Sequence, residues 1–324
     1  MGGSIRVSSL RLGERVSNKE ENMKKFLVSI IFVIVLTLCT MRPALCGSLT
    51  NFGEDAWMGH LFASAHTPAA TIYVALATAD PGEAATGAAM SEVANSGSYA
   101  RTAITFTAAA TRRVTQTGAV TFPQATGAWG TVTHWALVNT NTYGAGNVLA
   151  YGAFTSSFSP VTGNTPSIAS GQIYVEISAS SGEGFTTQLV HWMLDLMFRN
   201  IAYSQPATYI ALLDSVGADT DTTLTTAGKE ATWTGYARIL VNKAGGASPA
   251  WEAISGGATQ NANAVTFSTV GASPSIIVGM AIVDAATLDT GNVLAYDNDQ
   301  VVDQTPNVGD TVTFAIGALD VSIQ

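Results

Sequence analysis

Charge is scarce in this chain. Only 11% of its 324 residues are Asp, Glu, Lys or Arg, less than half the roughly 25% of an ordinary soluble protein. Four His and two Cys complete the reactive inventory, so acid–base, thiol and metal chemistry have few candidates before any motif is sought. Acids outnumber bases 23 to 14, which argues against a protein that tracks nucleic-acid phosphates. What is abundant points elsewhere. An apolar share of 47% excludes disorder, because enough surface can be buried to offset chain entropy. Forty Thr and 31 Gly favour strands and turns. At roughly 100–200 residues per domain the length suggests two domains.

The first 46 residues read as lying outside the fold. Met23-Lys24-Lys25 leads into an apolar run from Phe26 to Leu38, then Ala44-Leu45-Cys46-Gly47. A basic start, a short apolar run and small residues at a cut describe a secretory signal peptide, cleaved here after Cys46. The run is short for a membrane span of about 20 residues; a retained anchor is the alternative. Residues 1–22 do not fit as its head. Lys19-Glu20-Glu21 suits translation of a purine-rich ribosome-binding sequence just ahead of a start at Met23. Seven of the 14 bases and three of the 23 acids lie in 1–46, leaving 7 and 20 beyond it, a net charge of −13. Both cysteines fall in 1–46 as well, so no disulfide or thiol site is expected in the mature chain.

An internal duplication organises the rest. Tyr73-Val74-Ala75-Leu76 returns as Tyr209-Ile210-Ala211-Leu212, and Gly97-Ser98-Tyr99-Ala100-Arg101 as Gly235-Tyr236-Ala237-Arg238. Ala119 to Phe122 matches Ala264 to Phe267, and Gly146 to Tyr151 is identical to Gly291 to Tyr296. The expected modules are 47–180 and 181–324. Each begins with a helix. Phe185, Leu189, Trp192, Met193, Leu196 and Met197 follow one helical face in the second copy, with Thr186 or Thr187 as N-cap and Asn200 at the end. Trp57, Met58, Leu61 and Phe62 repeat the face in the first, with Asn51 as cap and Glu54 completing a capping box. Short β-rich runs separated by Gly, Pro and Asn follow each helix: 71–78, 98–107, 118–122, 130–139, 147–154 and 171–178, then 207–214, 234–242, 263–268, 275–284, 292–296 and 310–323. The fold class is all-β: two tandem antiparallel sandwich- or barrel-like modules, each preceded by one helix.

Candidate chemistry is thin. With Trp57-Met58 matched to Trp192-Met193, His60 pairs with Asp195 and His191 with Ala56, while His134 aligns with Gly279. No two histidines have metal-ligand spacing, and no nucleophile elbow occurs. Asp297-Asn298-Asp299 with Asp303, and Asp214, Asp219 and Asp221, could offer oxygen ligands to Ca²⁺, but read better as solvated turns. A pair of glycosidase carboxylates would be invisible in sequence. Trp129, Trp135, Trp233 and Trp251 could stack on sugars or fill a core. The constellation both copies share is Glu92, Tyr99 and Arg101 with Glu230, Tyr236 and Arg238. It reads either as a ligand-contacting cation or, favoured, as an Arg–Glu pair pinning a strand or a subunit contact. Trp57, Trp192, Met193 and Met197 mark apolar helix stripes that need cover from the module's own sheet or a neighbour. No catalytic, metal-binding or cofactor-binding residue is assigned.

The ordered string of Tyr-Val/Ile-Ala-Leu, Gly-(Ser)-Tyr-Ala-Arg, Ala-Val-Thr-Phe and Gly-Asn-Val-Leu-Ala-Tyr, closed by Gly309 to Leu319, resembles small bacteriophage tail-fibre and virion-surface proteins. The resemblance covers most of 71–178 and 207–323. It implies a displayed, non-enzymatic structural module without cofactors. Copy one departs from it in lacking the full closing motif at 171–177, and the exported N-terminus is foreign to a virion protein. The expected partners are the chain itself, as a homotrimer or higher oligomer, and other virion or surface proteins. No nucleic acid is expected, and membrane contact only through an uncleaved N-terminal segment. A secreted or cell-surface adhesin binding glycans or a host partner is the alternative, and an extracellular glycoside-active enzyme a remote one. Localisation is accordingly exported or cell-surface, with the virion as the alternative.

Overall fold

The computed structural model describes residues 46–179, 182–224, 229–298 and 305–323. The expectations for the leader, the start at Met23 and the signal segment fall on residues outside these. Cys46 is described, as the first residue of a strand.

Copy one comprises β1 (Cys46–Leu49), α1 (Asn51–Phe62), β2 (Ile72–Ala77), β3 (Thr102–Ile104), β4 (Arg113–Thr115), β5 (Val120–Thr121), β6 (Val132–Val138), β7 (Val148–Phe158), β8 (Ser167–Ile168) and β9 (Tyr174–Glu176). Copy two repeats the order as β10 (Glu183–Phe185), α2 (Thr187–Arg199), β11 (Tyr209–Leu213), β12 (Ile239–Leu240), β13 (Ala258–Gln260), β14 (Val265–Thr266), β15 (Gly279–Val283), β16 (Val293–Asp297), β17 (Thr313–Phe314) and β18 (Asp320–Ser322). The chain is all-β with one helix leading each copy. Five strands have the same spatial order twice: β3-β2-β6-β7-β1 and β12-β11-β15-β16-β10. They then diverge. In copy one β1 also pairs in parallel with β9, which carries β4, making seven strands; in copy two β18 and β13 form a sheet of their own.

The central strands read as continuous apolar runs because both faces are covered. All five residues of β15 are buried. One face packs on a core that runs without a break from Leu49 to Ile323 and is shared by both copies. The other face is covered locally, by Ala85 and Met90 in copy one and Leu224 in copy two. The 310–323 stretch differs from one long strand: it pairs only at Thr313–Phe314, turns at Gly317 (φ +72°) and resumes as β18. A positive φ there suits glycine and ends the extended run.

Helix entry corrects the sequence reading. The cap of α1 is Thr50, not Asn51: its hydroxyl accepts from the Gly53 N–H at 3.2 Å and donates to the Val148 carbonyl. Thr186 does the same for α2, accepting from Leu189 N–H at 3.3 Å and donating to the Val293 carbonyl at 2.7 Å. A cap that also ties the helix to the neighbouring strand fixes its start more firmly than side-chain propensity does. Thr50 is therefore the counterpart of Thr186, and Asp55, rather than Ala56, stands where His191 does. Matching the two Trp-Met pairs displaced the helices by one residue. Phe185 belongs to β10 rather than to the helix, which ends as expected at Asn200 in the left-handed conformation (φ 53°).

Candidate functional site

Two copies of one polar constellation lie under the sheets. Arg101 holds Glu92 with two bonds, Nε to Oε1 and Nη2 to Oε2, both 2.8 Å. Its Nη1 donates to the carbonyls of Thr140 and Ala145 at 3.0 and 2.9 Å, and Nη2 also reaches the Gly87 carbonyl at 3.3 Å. All five guanidinium N–H groups are thereby used. Tyr99 donates to Glu92 at 2.9 Å and accepts from the Leu76 N–H at 2.9 Å. Copy two repeats the design. Arg238 chelates Glu230 at 2.8 and 2.7 Å and donates to Ala285 and Thr290, while Tyr236 joins Glu230 to Leu212. The ion-paired side chains are at most 5% exposed. Burial first, and then the neighbouring carboxylate, pushes both tyrosine hydroxyls far up, so they stay protonated donors. Each constellation clips the loop between two central strands to the sheet, and neither guanidinium faces solvent.

A second set of contacts crosses between the copies. Helix α1 packs on β13 of copy two, and α2 packs on β4 of copy one. Each helix offers an acceptor to the tight turn beside that strand: Asp55 Oδ1 takes the Gly257 N–H at 2.9 Å, and His191 Nε2 takes the Arg112 N–H at 3.0 Å. Asp195 adds a bond from the Ala109 N–H at 2.9 Å. His191 accepts only when Nε2 is unprotonated, and burial, the largest influence, lowers its pKa. The turns themselves need left-handed backbone at both central positions: Thr111-Arg112 in one copy (φ 50° and 59°) and Gly256-Gly257 in the other (φ 58° and 68°). Glycine takes this conformation freely and arginine does not. Arg112 is held by its guanidinium, which donates to the carbonyls of Ile177, Ser178 and Phe185 at 2.8–3.0 Å and lies 3.8 Å from Asp219. Two of these carbonyls belong to the segment joining the copies, and the third to β10. Sequence reading missed Arg112 because it has no counterpart in copy two.

The remaining candidates are spent in packing. Trp57, Met193 and Met197 are buried in the shared core, and Trp192 stacks half-buried on Tyr203 with ring centroids 5.0 Å apart. Trp129, Trp135, Trp233 and Trp251 are all buried, so none is a platform for sugar rings. His60 is buried and its Nδ1 accepts from the His66 N–H, while His134 bonds Thr133. Asp221 pairs with Lys229 at 2.8 Å, and Asp219 accepts from Tyr296 at 2.7 Å; Asp299 and Asp303 lie outside the described residues. No group of three or more metal-ligating side chains comes together among the described residues. Among them, too, no helix is long and apolar enough to cross a membrane. Every one of the seven bases in 47–324 has an internal partner. Six are in ion pairs, and the seventh, Lys243, donates to the Leu61 carbonyl at the end of α1.

No curated protein matches the chain. A protein family does, twice, over residues 48–176 and 184–322. Those two segments coincide with the two copies and together span most of the sequence, so the chain belongs to the family described as podophage GP4 fiber I protein gp80.

Proposed function

We propose that this protein is a non-enzymatic structural component of a phage fibre, in which two family modules are fused into one rigid unit displayed on the virion. The observation that carries this reading is the interlock: each helix packs on a strand of the opposite copy as well as on its own sheet, and one core runs through both. Such a unit resists shear without disulfides, since separating the copies would expose both helices. The bases and aromatics that would serve a binding or catalytic site are engaged in holding loops, turns and the intermodule segment. The helix stripes that suggested a homotrimer or higher assembly are covered within the chain, so self-association has to come from other surfaces.

Mass spectrometry of gradient-purified particles tests the placement. The expected result is the chain at a fixed ratio to the other virion proteins; its recovery only from the culture medium would favour the secreted adhesin. Light scattering of the purified chain reads self-association, and a glycan array reads the adhesin alternative.

A further inference from the structure

The divergence of the two sheets leaves a gap in copy two that copy one does not have. In copy one β1 pairs directly with β9, Cys46 opposite Tyr174 and Gly47 opposite Val175. The equivalent strands, β10 and β18, are not paired with each other. Between them lies a cavity of about 500 Å³ lined by Glu183, Phe185, Met280, Ile282, Asp320 and Ser322, with Arg112 at one end.

Both walls are strand edges. The bonds from Ile323 N–H to Gly257 and from Asn261 N–H to Leu319 turn the odd residues of β18 towards β13. By the alternation of an antiparallel ladder, the amides and carbonyls of Asp320 and Ser322 point into the gap. The bonds joining Gly182 to Asn298 and Thr186 to Leu294 likewise turn the backbone of Glu183 and Phe185 inward from the other wall. Among the described residues, only the Phe185 carbonyl is taken, by Arg112. The sequences differ at this join. In copy one Gly47 lies against the Trp135 ring, where a Cβ has no room. Its counterpart is Glu183, which pairing in that register would set opposite Val321, with Asp320 next along the strand.

We propose that this slot binds an extended segment of another polypeptide by strand addition, and that the segment carries a basic residue. Unpaired edges supply backbone recognition, as in other cases of strand addition. Met280 and Ile282 supply the apolar floor, and Glu183 and Asp320 set the charge. A second copy of residues 47–324 does not fit this demand, because all seven of its bases are already engaged. The inference does not depend on placement in a virion, since its test reads the slot alone.

The probe is an acetylated and amidated hexapeptide, Thr-Val-Lys-Val-Thr-Val, added to the full chain and followed by residue-resolved amide exchange. The expected result is slowed exchange at Glu183, Phe185, Asp320 and Ser322. Asp320→Lys should weaken binding about tenfold and favour the peptide with Glu in place of Lys by a similar factor. A melting curve confirms that this exposed substitution leaves the fold intact. Three results would overturn the proposal: no protection at millimolar peptide, equal binding of a backbone N-methylated peptide, or amides already protected in the chain alone.

Discussion

The two copies differ most where they touch each other. Their caps, central strands and Glu–Tyr–Arg clips repeat the same contacts, including two of the carbonyls each arginine selects: Thr140 and Ala145 in one, Ala285 and Thr290 in the other. At the mutual contact the same geometry is met with different chemistry. Asp55 and His191 perform one task, accepting a turn N–H, and Gly257 and Arg112 occupy one turn position. What must hold a loop inside one module is kept twice. What lies between modules is free to specialise, because the two sides no longer have the same neighbours.

The largest effect should come from breaking a clip. Glu92→Ala strands Arg101 in a buried site and should cost about 3–5 kcal/mol, and Glu230→Ala a similar amount, read by urea unfolding. Unequal losses would show that the copies are less equivalent than their geometry. Next comes the specialised turn. Arg112→Gly installs the copy-two residue and relieves backbone strain, but it releases two carbonyls of the joining segment and one of β10. We expect a loss of about 2 kcal/mol and faster proteolysis within 177–185. Gly257→Arg should not rescue it, since a Cβ there would meet the Glu54 side chain at 2.8 Å.

A smaller effect separates His191 from Asp55. The native pKa of His191 is lowered, chiefly by burial, so the unfolded state takes up a proton first as pH falls. The His191 contribution is whole above about 6.5 and declines below it. His191→Asp should flatten the fall in stability between pH 7 and 5, measured by melting temperature. Smallest is Lys243, whose burial pushes its pKa down to about 8. Below that value the native state carries a desolvated charge. Lys243→Met should raise stability modestly at pH 7, with the advantage shrinking as pH rises from 8 towards the ordinary lysine value near 10.4.

The sequence made the repeated parts legible because repetition itself is a signal. The helices, the long central strands and the Glu–Arg pairing were all visible in what the copies share. Five of the short strands were not: β1, β4, β8, β10 and β13 lie outside every β-rich run the copies share, and they form because partners far along the chain hold them. The one-residue error in aligning the helices had a different cause. Identical Trp-Met pairs outweighed Thr50 and Thr186, although a cap fixes a helix's phase and a tryptophan does not. Arg112 was lost because attention to shared residues discards whatever one copy has alone.

The reciprocal packing of each helix on the other copy has a genetic consequence. In a two-fold symmetric homodimer every substitution appears on both sides, so a residue that suits only one side is penalised on the other. Joining the two halves in one reading frame removes that constraint, and a mutation can then be accepted in one copy without its twin. An arginine clamp on one side and an unclosed sheet on the other are differences open to a fused gene and closed to two identical subunits.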